Sequence, residues 1–146
     1  MQRLLKNVFV LMLLCIGLIA GHSSLNGTWL LVPTLSNFAG DTVLQSGSVK
    51  IDEREHHIYI SRNFNYDGSA GGMDLSFSTD GGVNSTVKNG KSFKSKVSWE
   101  GDSLKVKTTS DRLTYVEHYS LRPDGSLQLI LERSDHQAQT LVFHRQ

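Results

Sequence analysis

The sequence predicts an all-β fold: an antiparallel up-and-down β-barrel of about eight to ten short strands. Three observations predict it. Apolar and polar residues alternate with a period of two along most of the chain, and helical spacing is sustained nowhere beyond the N-terminal segment. Short turn sequences rich in glycine and aspartate punctuate that alternation. The 146 residues show no linker, low-complexity tract or second composition zone, which suits a single domain.

The N-terminal segment differs from the rest. Arg3 and Lys6 precede an almost unbroken apolar run over residues 8–20, interrupted by Gly17. This is the layout of a signal peptide. The run is about a dozen residues, short of the roughly 20 that cross a bilayer, so a retained anchor is the weaker alternative. Gly21 and Ser23 favour cleavage after Ser23. Residues 1–23 are therefore expected to be removed, and residues 24–146 to form one exported domain, periplasmic or secreted, with no integral membrane segment. The single cysteine, Cys15, lies in the apolar run after Leu14, where lipid modification would want a small residue. The exported domain then has no cysteine, and packing alone must hold it. The chain has 15 Lys and Arg against 14 Asp and Glu. Losing Arg3 and Lys6 leaves 13 against 14, a balance of −1 with no footprint for nucleic acid.

The strands follow in order. Trp29 begins the first apolar stretch. Met73, Leu75 and Phe77 alternate with Asp74, Ser76 and Ser78. Phe93, Val97 and Trp99 oppose Lys94, Lys96 and Ser98, and Leu104 and Val106 oppose Lys105 and Lys107. Leu127, Leu129 and Leu131 share a face, and Leu141 and Phe143 lead to Arg145. Side chains alternate between the two faces of a strand, so each stretch has one apolar face. Tyr66-Asp67-Gly68, Asp80-Gly81-Gly82, Asn89-Gly90, Glu100-Gly101-Asp102 and Arg122-Pro123-Asp124-Gly125 are the turns. Asn-Gly is the strongest short hairpin signal, and proline presets the first turn position. Local hairpins favour a meander closed into a barrel, which removes the sheet's edges. A sandwich is the alternative that turn spacing leaves open.

The domain opens Leu25-Asn26-Gly27-Thr28-Trp29 and closes Leu141-Val142-Phe143-His144-Arg145-Gln146. The Gly-x-Trp and the basic residue of the last strand resemble the signature of the lipocalin and fatty-acid-binding barrels. Together with Trp99-Glu100-Gly101-Asp102-Ser103-Leu104 and Leu121-Arg122-Pro123-Asp124-Gly125-Ser126-Leu127, they are similar to a family of small exported bacterial lipocalin-like proteins. The resemblance implies that Trp29 closes one end of the barrel with Arg145 across its indole, a structural role. It also implies a small hydrophobic or amphipathic ligand inside the barrel. The sequence departs from fatty-acid-binding proteins after the first strand, where residues 33–41 leave room for no more than a short helix.

The residues offer few chemical constellations. Tyr115, Glu117 and Tyr119 share a face with Leu113 and Leu121. If that face is inward, they could orient a ligand's polar head, with Phe77, Phe93 and Trp99 among the apolar walls. Alternatively Glu117 pairs with an internal arginine, such as Arg62 or Arg133, or the face is outward. Adjacent His56 and His57 cannot share a strand face, and no cysteine completes a zinc site, so no metal or cofactor is expected. The sequence has no nucleophile elbow and no phosphate-cradling loop, and an enzyme is not expected. The remaining readings are a filled barrel that acts through its surface, as an envelope structural or inhibitory module, and an envelope enzyme using Glu117 with a nearby histidine.

Overall fold

The computed structural model describes residues 23–146. The segment read as a signal peptide lies outside the described residues except for Ser23. Ten strands follow a short 3₁₀ turn at Ser23–Leu25. They are β1 (Gly27–Leu31), β2 (Ser46–Arg54), β3 (His57–Tyr66), β4 (Ser69–Ser78) and β5 (Val83–Lys88). The second half holds β6 (Lys91–Glu100), β7 (Ser103–Thr109), β8 (Thr114–Leu121), β9 (Leu127–Arg133) and β10 (His136–Arg145).

Turn chemistry sets the hairpins. Asp67 and Gly68 adopt φ of 40° and 80°, and Asn89 and Gly90 adopt 52° and 73°. Two consecutive residues at positive φ give the turn whose twist matches the flanking strands. At the β8–β9 turn, the Gly125 N–H donates to the Arg122 carbonyl at 2.9 Å, and the Arg122 N–H donates to Ser126 at 2.8 Å.

All ten strands form one sheet in the order β4-β3-β2-β1-β10-β9-β8-β7-β6-β5, with every pair antiparallel. This is a meander whose first and last strands pair with each other, and it rolls into a barrel rather than two stacked sheets. The barrel is nearly closed: β4 and β5 are the ends of the hydrogen-bonded order, and no ladder joins them. At the foot of that gap, the Asn84 side chain accepts from the Ser78 N–H at 2.9 Å.

The lower end is sealed. Trp29 is fully buried and donates its indole N–H to the Leu25 carbonyl at 2.9 Å. The Arg145 guanidinium lies 4.1 Å from the centre of the Trp29 ring. It donates to the carbonyls of Asn26 and Ser24 at 2.6 and 2.9 Å, tying the incoming chain to β10. Gly27 has φ of 140°, and a Cβ there would stand 2.5 Å from Arg145 Nη1. The glycine of Gly-x-Trp thus makes room for the arginine that covers the tryptophan. Above this floor, Val49, Ile51, Ile58, Ile60, Leu104, Leu127, Leu129 and Phe143 pack into one buried cluster.

The longest connection, residues 32–45, joins β1 to β2 at the upper end. It contains one 3₁₀ turn, Pro33–Leu35. Ser36 Oγ accepts from the Val142 N–H at 3.0 Å, and Asn37 bridges to Thr140, which hold the segment along β10. Phe38 and Leu44 then lean over the barrel mouth.

Candidate functional site

The two halves of the barrel interior differ. Below, the inward side chains are mostly sealed from solvent, with Leu121 and Trp99 at the very end the exceptions. Above, inward positions stay accessible although they are apolar. Tyr66 is 41% exposed and Met73 is 42% exposed, and Phe64, Phe93 and Tyr115 are half-buried. A cleft of about 240 Å³ opens at the mouth between Phe38, Leu44, Phe64, Tyr66, Leu131 and Leu141. Arg133, Asp41 and Gln139 stand at its rim, and Gln139 donates to the Asp41 carboxylate at 2.6 Å. Gly47 has a local role here. A Cβ at that position would lie 2.7 Å from Phe64 Cδ1, so the bare backbone lets the Phe64 ring lie flat, 6.4 Å from Phe143.

Between the two halves sits a polar cluster. Arg62 on β3 crosses the interior and donates from Nη1 to Glu117 Oε1 on β8 at 2.6 Å. Tyr119 donates its hydroxyl to Glu117 Oε2 at 3.2 Å. The two charged side chains are only 10% and 14% exposed. Arg62 Nη2 also approaches Met73 Sδ at 3.7 Å. Burial acts to lower the Arg62 pKa, but the acidic side chains it faces, Tyr119 and Glu117, outweigh burial and hold it above its ordinary value. Burial, then the Glu117 charge, push the Tyr119 phenol far up. At neutral pH Tyr119 is therefore a neutral donor, and the charge that Arg62 meets is the Glu117 carboxylate. A buried charge needs such a partner.

The six residues expected to line a ligand site share inward faces but not one height in the barrel. Tyr119 and Phe77 belong to the sealed lower cluster. Trp99, opposite Leu104, packs against it from the lower end. Phe93, opposite Thr86, and Tyr115, opposite Thr108, lie in the accessible upper half. Glu117 sits between. Of the two arginines considered as its partner, Arg62 makes the contact, while Arg133 turns outward to Asp135 and His136 at the rim. Sequence reasoning placed Met73 on an apolar strand face without assigning it to the site, and did not single out Leu44 or Phe38. The last two lie on a connection without alternation, and nothing local marks them.

The histidines stand apart. His56 and His57 are exposed at the β2–β3 turn, His118 lies opposite Lys105, and His136 contacts Asp135 at 3.0 Å. Among the described residues no three His, Cys, Asp or Glu side chains gather to hold a metal, and no helix is long and apolar enough to cross a membrane.

This geometry defines a class of fold: a ten-stranded, nearly closed antiparallel β-barrel, the fold also seen in fatty-acid-binding proteins. Among solved structures, the chain is similar to a fatty acid binding protein of Schistosoma mansoni in complex with arachidonic acid. The identity is 15%, the TM-score is 0.65, and 86% of this chain and 98% of that one are covered. It is also similar to secretory abundant heat soluble protein 4 of Ramazzottius varieornatus, with 14% identity, a TM-score of 0.65, and 85% and 96% covered. A third is the REP1-NXSQ fatty acid transporter, with 16% identity, a TM-score of 0.65, and 85% and 97% covered. At such identities the likeness is one of fold. No family model and no curated protein sequence matches the chain.

Proposed function

We propose that this protein is an exported barrel that binds a small hydrophobic or amphipathic molecule in its upper half. One observation carries the reading: inward apolar side chains, buried over most of the lower half apart from Trp99 and Leu121 at its very end, are left accessible through the upper half, around Phe64, Met73, Phe93 and Tyr115. Accessible apolar surface lining a concavity, with a few placed polar groups, is the usual form of a ligand site. The Arg62–Glu117 pair forms its polar floor. Solved barrels of this shape, described as a fatty acid transporter and as a fatty acid binding protein holding arachidonic acid, support the same reading. Export rests on the sequence of residues 1–23.

The mouth cleft of about 240 Å³ is smaller than the roughly 300–1,000 Å³ common for ligand pockets, which suits a compact ligand or a chain that protrudes from the mouth. Native mass spectrometry of the protein, gently purified from its own cells, tests the reading. The expected result is an extra mass that is lost on denaturation. A bare polypeptide mass, unchanged after incubation with lipids, would overturn it. That outcome would favour a barrel acting through its surface, where Val83 and Val87 on β5 are 63% and 72% exposed.

A further inference from the structure

We infer that the barrel takes ligands with an uncharged, hydrogen-bonding head, such as an alcohol or an ester, and discriminates against the free carboxylate of the same chain. The inference rests on the binding reading above and names the head group for that site. Its ground is the cluster at the floor of the accessible half. Arg62 is the cation there, and its Nη1 is already committed to Glu117 Oε1 at 2.6 Å. The other Glu117 oxygen accepts from Tyr119. The cluster is therefore electrically neutral before any ligand arrives.

A carboxylate head reaching Arg62 would come within a few ångströms of Glu117. Two carboxylates sharing one poorly solvated site repel, and one must be protonated or displaced. A neutral oxygen meets no such repulsion. A guanidinium has five N–H donors. The contacts seen here use one for Glu117 and direct a second toward the soft sulfur of Met73 at 3.7 Å. Donors thus remain for a hydroxyl or carbonyl oxygen, and the cluster keeps its neutrality. Phe93 and Tyr115, higher on the walls, would flank the chain that follows the head.

A matched set of fluorescent polyene lipids tests this: cis-parinaric acid, its methyl ester and the corresponding alcohol, each titrated into the purified protein at pH 8. The alcohol and ester are expected to bind more tightly than the acid by about tenfold or more. Glu117→Gln should raise the affinity for the acid by a similar factor, since Arg62 then offers an unpaired charge. Wild-type protein that binds the acid as tightly as the alcohol overturns the head-group inference and leaves barrel binding standing. Failure of all three probes to bind overturns both. Should the Glu117→Gln chain fail to fold by circular dichroism, the wild-type series still decides.

Discussion

Substituting Gly27 by alanine tests the account of the sealed end. The new Cβ would stand 2.5 Å from Arg145 Nη1, inside any real contact distance, so the guanidinium must move. Moving it breaks the stacking on Trp29 at 4.1 Å and the bonds to the Asn26 and Ser24 carbonyls. An exposed cation–π contact contributes about 0.5–1 kcal/mol. Hydrogen bonds at the surface add about 0.5 kcal/mol each, at the low end of their range. The Arg145 contacts together therefore contribute about 1–2 kcal/mol. Holding alanine at φ of 140° costs about 1–3 kcal/mol more. Gly27→Ala should destabilise the domain by about 2–5 kcal/mol in urea unfolding, and Arg145→Ala by about 1–2 kcal/mol. The double variant is the decisive measurement. With Arg145 already truncated, the alanine has nothing to displace, and its cost should shrink to the backbone strain alone. The two single costs should then exceed the double cost by about 1–2 kcal/mol. Additivity within about 0.5 kcal/mol would refute the reasoning, because it would mean that Gly27 is needed for its backbone and not for Arg145.

Three further predictions follow from the interior and the surface. Glu117→Ala should cost about 3–5 kcal/mol by leaving Arg62 buried without its partner, whereas Arg62→Met with Glu117→Leu should cost less, about 1–3 kcal/mol, because only the buried Tyr119 hydroxyl then loses its acceptor; urea midpoints of the two variants compare them. Asp124 is held below the usual carboxylate range by the Ser126 hydroxyl and then by its backbone N–H, and Asp80 chiefly by the Gly82 N–H. A carboxylate whose folded pKa is depressed stabilises the fold above its unfolded pKa and loses that contribution as pH falls through the folded value. The melting temperature should therefore drop as pH falls below about 4, and Asp124→Asn should flatten that drop. Hydrogen exchange should be fastest in β5, which pairs on one side only and has no buried residue, and slowest in β1, β9 and β10.

Local chemistry made much of the fold legible. Asn89-Gly90 and Asp67-Gly68 announce their turns because their positive φ values suit those residues. The β2–β3 turn was silent for the opposite reason: Glu55 takes φ of 52° without being glycine or asparagine, an uncommon choice that no turn rule anticipates. The Ser110–Leu113 and Ser134-Asp135 connections likewise carry no glycine or proline. Alternation identified the inward faces, because burial against the core selects one side of each strand.

What alternation cannot encode is height along the barrel axis. Tyr115, Glu117 and Tyr119 have the same parity on β8, yet one faces the accessible half, one belongs to the polar cluster and one is sealed. The missing information lies in the turns. In a meander, successive hairpins alternate between the two ends, so counting turns from the Trp29 end assigns each residue a level. By that count Asn89-Gly90 lies at the upper end, which places Phe93 in the upper half, and Glu100-Gly101 lies at the lower end, which places Trp99 near the floor. The count fails as soon as one hairpin is overlooked, since every later level is then inverted. The glycine-free β2–β3 turn is such a hairpin. The choice between Arg62 and Arg133 as partner of Glu117 depends on the same count: Arg62 lies midway along β3, level with Glu117 across the closed barrel, while Arg133 ends β9 at the rim. A contact between residues 55 positions apart is set by closure of the sheet, and it becomes readable only when every turn has been found.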